Sequence, residues 1–359
     1  MAPEVSRRDF LSQLGVTVGT AAAVPLIGAP GLVGQAEAQT AAQPKGKIPD
    51  TPYKVGHMTF HTGAAAVLGE PMYKGHILAA EEINAKGGLL GKRKIETIKA
   101  DENAGTDANV KELRRMKLSE KVDFFTGITS SGNTPALGPV AEELKLLTIF
   151  VDGCTDFLFD KAVPNPHYIF RITNIQSADG VTCALAIAQT WPTAKKIAHI
   201  HPDYSYGRNA FDHVRIVMEK MMPGAQIVSE GWPKLGTTDF ASHITKAISA
   251  KPDLLVSSVW GGDYVAFYKQ ALRYDMFKKM KLASTIAFGV APHAIGKDHP
   301  EGAIAGVHSN YYFNYPPNGK WPLNDSFVKK YFDRWKEYPN FQAEGAYVTM
   351  QMLDPAVSS

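Results

Sequence analysis

At 359 residues, with 45% hydrophobic and 20% charged side chains, the chain has a globular composition and a length that suits two lobes better than one core. Its net charge is only +3, with Lys and Arg dispersed, which argues against nucleic acid or an anionic membrane surface as a partner. Cys154 and Cys183 are the only cysteines, so no disulfide scaffold is present; in an oxidising compartment they either pair or stay free and buried, and no CxxC or Cys/His spacing suggests a metal. The N-terminus reads Ser6-Arg7-Arg8-Asp9-Phe10-Leu11, a twin-arginine start, followed by an uncharged Ala/Gly-rich run from Val16 to Val33 and by Ala36-Glu37-Ala38 as a cleavage site. Residues 1–38 are therefore expected to be a removed export signal, with 39–51 a linker and the mature chain periplasmic. Pro25 and Pro30 interrupt the run, and Gly and Ala dominate it, so a membrane-spanning helix is disfavoured there.

From Tyr53 short apolar runs alternate with longer amphipathic ones. The pattern predicts strand 54–60, helix 70–85, strand 94–100, helix 108–118, strand 123–128, helix 133–144 and strand 147–151. A second series follows Tyr168-Ile169-Phe170-Arg171: helix 177–190, strand 196–201, helix 206–222, strand 226–229, helix 240–250, strand 253–259, helix 263–274 and strand 281–287. Strand, helix and strand at these lengths imply right-handed crossovers and parallel sheets covered on both faces. The fold class is α/β, with two doubly wound parallel-sheet lobes joined by a hinge. Lobe 1 is expected to take residues 52–174 and 310–359, and lobe 2 residues 175–309.

Several catalytic signatures fail on inspection. Gly87 to Arg93, GGLLGKR, resembles a phosphate loop, but Lys86 stands where its first glycine belongs and Arg93 where Ser or Thr is needed. Ile128 breaks the nucleophile elbow that Gly127-Ile128-Thr129-Ser130 would otherwise suggest. His199 and His201 lie on one strand face without a third ligand placed by spacing, so a structural role is favoured over zinc. No dinucleotide fingerprint follows the first strand, no set of nucleophile, base and orienter stands at recognisable spacing, and neither cofactor nor catalysis is expected.

What remains is a series of polar and aromatic residues just beyond strand ends: Phe60-His61-Thr62-Gly63, Ser130-Ser131, Asp152-Gly153-Cys154-Thr155, the His201 to Gly207 segment HPDYSYG, Trp260-Gly261-Gly262 and Phe288-Gly289. Ligands of doubly wound sheets bind beyond the carboxyl ends of strands, so these loops are the candidate site. The turn GITSSGNTP after the third strand, rich in hydroxyls and backbone N–H groups, either caps a helix or holds an anion such as a carboxylate.

Glu81 to Gly91, EEINAKGGLLG, with Thr62-Gly63 and Leu68-Gly69 upstream, resembles the first lobe of the periplasmic leucine/isoleucine/valine-binding proteins of branched-chain amino acid ABC transporters. The similarity continues through Asp123 to Ala136, Tyr168 to Thr173, HPDYSYG and Asp253 to Leu272. It implies a type I, two-lobed receptor, acting as a monomer, that closes on a small-molecule ligand and docks on ABC permease subunits. By the same resemblance Ser130 and Ser131, helped by Asp152, Gly153, Cys154 and Thr155, would receive the ligand's carboxylate. Tyr206 matches the tyrosine of the second lobe's YG turn, Leu68 and Trp260 match walls against the ligand side chain, and His61 lies on the first strand's loop. The acidic residue that neutralises a ligand ammonium in the family falls near Phe288, which is apolar. Either Asp152 substitutes for it, or the ligand is an amine-free aromatic carboxylate or amide. A regulator built on the same fold is a third reading, which the export signal opposes. Family members usually continue beyond the helix near Ala343 through further strands and a third crossing, so the resemblance implies a chain that stops short of a full-length member.

Overall fold

The computed structural model describes residues 47–309, 311–314 and 321–358, so the expected export signal, 1–38, and residues 39–46 of the expected linker lie outside the described residues. Among the described residues, no helix is long and apolar enough to cross a membrane.

The first sheet comprises β1 (Tyr53–Thr59), β2 (Ile95–Asp101), β3 (Phe124–Gly127), β4 (Leu147–Phe150) and β5 (Ile169–Arg171), in the order β2-β1-β3-β4-β5. Every pairing is parallel. Helices α1 (Ala66–Ala85), α2 (Thr106–Leu118) and α3 (Thr134–Glu143) make the crossovers. The central strand β3, FFTG, is buried at every position, the signature of a sheet covered on both faces. After α4 (Gln176–Thr190) the second sheet is built from β6 (Lys196–Ile200), β7 (Gln226–Gly231), β8 (Leu254–Ser257), β9 (Lys281–Ser284) and β10 (Ile304–Ala305), in the order β10-β9-β8-β6-β7, again all parallel. Helices α5 (Ser205–Met221), α6 (Ala241–Ser249) and α7 (Gly261–Arg273) connect these strands. Both sheets thus reverse their winding once, between β1 and β3 and between β6 and β8, and ligand crevices form at such reversals.

The expected strands and helices from Tyr53 to Ser284 all form, and the two-lobed α/β class is the observed one. The last expected strand, 281–287, stops at Ser284, because Ala287–Gly289 closes into a tight 3₁₀ turn. The two-residue β10 is too short to carry a periodic signal in sequence.

Two further helices, α8 (Pro322–Trp335) and α9 (Phe341–Ser358), return to the first sheet. Phe327 and Tyr331 of α8 share a buried core with Ala343, Tyr347, Met350 and Leu353 of α9, Leu78 of α1 and Val55 of β1. At its rim Lys330 pairs with Glu82 and Arg334 with Glu81, both on α1. The remaining face of the first sheet packs Leu113, Met116, Phe125 and Leu137, and the second lobe builds its own core around Ile200, Leu255 and Phe267.

Candidate functional site

The turn after β3 is shaped by backbone strain and by a buried acid. Gly127 has φ +112°, and a Cβ there would sit 2.1 Å from the Met58 carbonyl oxygen, so only glycine fits. Ile128 follows with φ +66°, a conformation a β-branched residue adopts only under constraint. The constraint is Glu102, just beyond β2, whose carboxylate accepts from the N–H groups of Thr129 and Ser130 at 2.8 Å each and from Asn133 Nδ2 at 2.8 Å. Burial pushes the Glu102 carboxyl up to about 7 against the pull of those three donors. The turn does bind a carboxylate, but it is the protein's own. The backbone N–H groups of Thr129 and Ser130 are therefore taken by Glu102, which bears on the expectation that the turn at Ser130 and Ser131 receives the ligand's carboxylate.

Beyond that turn a small, partly open cavity lies between the lobes. From the first lobe it is lined by Leu68, Thr129, Ser131 and Asp152; from the second by Tyr204, Tyr206, Trp260 and Ile286; and from the returning chain by His308 and Phe341. The lobes meet over it. Phe60 and Trp260 pack edge to face with ring centroids 6.4 Å apart, and the N–H of Gly262 donates to the carbonyl of Ala64 at 3.1 Å. Trp260 Nε1 donates to the Tyr204 hydroxyl at 3.0 Å, and the hydroxyls of Tyr206 and Thr285 lie 3.2 Å apart, fixing both phenols.

Five of the residues singled out in sequence therefore share the cavity: Leu68, Ser131, Asp152, Tyr206 and Trp260. The others stand back from it. Ser130 turns its hydroxyl to accept from Gly132 N at 3.3 Å. The Gly153 carbonyl accepts from Thr134 Oγ1 and Arg171, and the Thr155 hydroxyl accepts from Phe157 N, so both hold their loop. His61 packs edge to face on Tyr73 at 5.1 Å, and its N–H donates to Asp101. Phe288 stacks edge to face against Tyr311 and Phe313, and Ile286 takes the place at the cavity expected for it. His199 and His201 form a buried pair, 3.0 Å between ring nitrogens, beside Phe211 and Trp232. Burial holds both well below the usual histidine range and hence neutral.

Cys154 sits directly behind the wall, free and buried, as is Cys183. Its sulfur belongs to a cluster absent from sequence reasoning. His308 Nδ1 lies 3.0 Å from Asp152 Oδ1 and Nε2 lies 2.9 Å from Asp179 Oδ2, with all three side chains at most 5% exposed. Burial opposes charge on this imidazole, but Asp179 and Asp152 together raise its pKa well above the ordinary value. The second oxygen of Asp152 accepts from Gln342 Nε2 at 2.6 Å, while Gln342 Oε1 is buried with no partner among the described residues. Ile286, His308 and Phe341 are the wall residues that sequence reasoning missed, while Thr129 and Tyr204 belong to loops it named without assigning them a role.

Ser131 lines the cavity, whereas the Ser130 hydroxyl is engaged by Gly132 N and by the Tyr204 phenol of the opposite lobe. Ser131→Ala is expected to weaken ligand binding by about 1.5–3 kcal/mol, the scale of a hydrogen bond to a charged group, with the melting temperature of the ligand-free protein unchanged. Ser130→Ala should instead lower stability. Calorimetry and thermal melts on the two variants check the assignment, and the reverse pattern overturns it.

A family model described as "Periplasmic binding protein" matches residues 52–359. Among curated proteins, the chain is similar to "Leu/Ile/Val-binding protein homolog 7" of Brucella melitensis, 26% identical over 296 residues, covering 80% of this chain and 71% of that one. Among solved structures, an ABC transporter solute binding protein from R. palustris in complex with benzoate superposes with a TM-score of 0.74 at 22% identity, covering 86% of this chain and 81% of that one. The branched-chain amino acid transporter substrate binding protein LivJ from Streptococcus pneumoniae, in complex with isoleucine, superposes with a TM-score of 0.67 at 21% identity, covering 85% and 83%. The extent of the family match, on two parallel-sheet lobes meeting over a cavity, places the chain in the periplasmic binding protein family, of the type I, leucine/isoleucine/valine-binding kind.

Proposed function

We propose that the chain is the exported solute receptor of an ABC importer and that its ligand is a small zwitterionic amino acid with an apolar side chain, captured by closure of the lobes and presented to the permease. The family is one of substrate-binding proteins rather than enzymes. The reading takes the twin-arginine segment as the export route, the periplasm as the compartment and a monomer as the working unit.

The observation that carries the ligand class is the charge around the cavity. Asp152 and Asp179 are two carboxylates in direct contact with a single imidazolium, and the Arg171 guanidinium, held on the Gly153 and Thr155 carbonyls, is the next cation out. A ligand that brings only a carboxylate meets those two acids in a site shielded from water, where charge repulsion is least screened. A zwitterion brings a compensating ammonium. Asp152 lines the cavity and uses only part of its acceptor capacity on His308 and Gln342, and the unpartnered Gln342 Oε1 lies beside it as a second acceptor. Ser131 supplies a hydroxyl for the ligand carboxylate, and Leu68, Trp260, Ile286 and Phe341 give the side chain an apolar envelope.

A second reading, an amine-free aromatic carboxylate, is favoured by one observation: the second lobe's wall of Tyr204, Tyr206, Trp260 and Ile286 contains no acid. Calorimetric titration with leucine, phenylalanine and 4-hydroxybenzoate separates the two. Under the preferred reading an amino acid binds and Asp152→Asn weakens it at least about 100-fold, or about 2.7 kcal/mol, because the buried ammonium loses its counter-charge. Tight 4-hydroxybenzoate binding without amino acid binding establishes the second reading. Tight leucine binding that survives Asp152→Asn places the ammonium elsewhere and overturns the role given to Asp152.

A further inference from the structure

The cluster behind the cavity wall has the donor set of a metal centre. Cys154 comes from the loop after β4, Asp179 from the first turn of α4 and His308 from the chain beyond β10. Asp152, Cys154 and His308 offer donor atoms that all lie within 4.8 Å of one another. On the Nε2 side of the imidazole, Cys154 Sγ lies 3.8 Å from His308 Nε2 and 3.9 Å from Asp179 Oδ2, and those two atoms are 2.9 Å apart. Tetrahedral zinc, with Zn–S near 2.3 Å and Zn–N or Zn–O near 2.0–2.2 Å, separates its donor atoms by roughly 3.3–3.6 Å. The observed triangle needs adjustments of only a few tenths of an ångström. On the opposite side of the ring, Asp152 Oδ1 stands 3.0 Å from Nδ1, the place of the carboxylate that commonly orients a metal-bound histidine.

We propose that Cys154, His308 and Asp179 form a binding site for a borderline-soft divalent cation, zinc in the first instance, with Asp152 as the positioning residue on the imidazole. A thiol, an imidazole and a carboxylate select zinc over magnesium or calcium, which take oxygen donors. Binding releases two protons, one from the imidazolium and one from the Cys154 thiol, and leaves a neutral imidazole and a thiolate on the ion. The three donors leave a fourth position. Ser131 Oγ lies 3.8 Å from Cys154 Sγ, and Ser131 and His308 both line the cavity, so that position faces the ligand space. The site shares Asp152, Ser131 and His308 with the wall of the ligand cavity.

Cobalt(II) and zinc, added alone to the chelator-treated mature protein, test this. One equivalent of cobalt is expected to bind with a thiolate-to-cobalt charge-transfer absorption, and zinc to displace it. Cys154→Ser should abolish that absorption and weaken zinc at least tenfold, as measured by competition with a chromophoric chelator, and Asp152→Asn should weaken zinc about 10–100-fold while the absorption persists. Thermal melts of the metal-free variants show whether each still folds, and His308→Gln serves as a second ligand variant should Cys154→Ser melt early. Cobalt bound without the charge-transfer absorption, or equally in the wild type and in every folded variant, means surface binding only and overturns the site. No binding at stoichiometric metal means that the cluster is a closed ion-pair network and overturns it equally.

Discussion

Replacing Glu102 by alanine is expected to destabilise the folded chain by about 2–6 kcal/mol. The N–H groups of Thr129 and Ser130 both end on its carboxylate inside the first lobe, and a buried donor left without a partner costs roughly 1–3 kcal/mol. Against a total stability of roughly 5–15 kcal/mol, that is enough to leave the variant marginal. The penalty depends on pH with a definite sign. The Glu102 carboxyl titrates near 7 in the fold, above its ordinary 4.5, so its stabilising contribution is full below about 4.5 and is lost as pH rises through 7. Urea unfolding of wild type and Glu102→Ala should therefore show a larger gap at pH 5 than at pH 8, by about 2–3 kcal/mol. Taking the difference cancels the buried neutral histidines His57, His76, His199 and His201, whose contributions run the opposite way and are common to both proteins. A gap below about 1 kcal/mol at pH 5 would show that the turn finds other acceptors for its N–H groups.

Glu102 also shows where sequence reasoning reaches its limit. Parallel strands and crossover helices carry their own periodicity, so the two series of elements were legible, and with them the loops at strand ends that hold Leu68, Ser131, Asp152, Tyr206 and Trp260. Glu102 gives no such signal. It reads as an ordinary acid near a helix start, and its role appears only when β3 delivers the strained Gly127-Ile128 turn onto it, 27 positions later in the chain. His308 and Gln342 are harder still, because their partner Asp152 lies 156 and 190 positions away, on chain that returns after a stretch with only a two-residue strand. The misplacement of Phe288 has a local cause: the last strand gives way to a 3₁₀ turn after Ser284, which sends Ile286 to the cavity and Phe288 to Tyr311. Cys154 was expected to touch ligand through its loop, but the sulfur faces His308 and Asp179 instead.

Gly262→Ala is expected to weaken ligand affinity about 10–100-fold with no loss of stability in the ligand-free protein. Gly262 lies in the first turn of α7, one residue after the φ +58° of Gly261, and its N–H reaches the Ala64 carbonyl of the opposite lobe. A Cβ there would stand 2.4 Å from that carbonyl oxygen, too close for the lobes to keep their present approach. Alanine suits a helix better than glycine, so the second lobe itself should gain slightly, while overpacking of this kind costs roughly 1–3 kcal/mol in the state that contains the contact. That state is the one in which Trp260 reaches Phe60 and the walls of Tyr204 and Tyr206 close the cavity. The penalty therefore falls on closure and is read as lost affinity, since a ligand that draws the lobes together must supply it. Calorimetry gives the affinity and small-angle scattering the separation, with a larger radius of gyration expected for the variant under saturating ligand. Affinity equal to wild type would mean that the 61–65 loop yields locally, which Gly63 at φ +75° gives it the freedom to do, and the Ala64–Gly262 contact would then have no part in setting how far the lobes close.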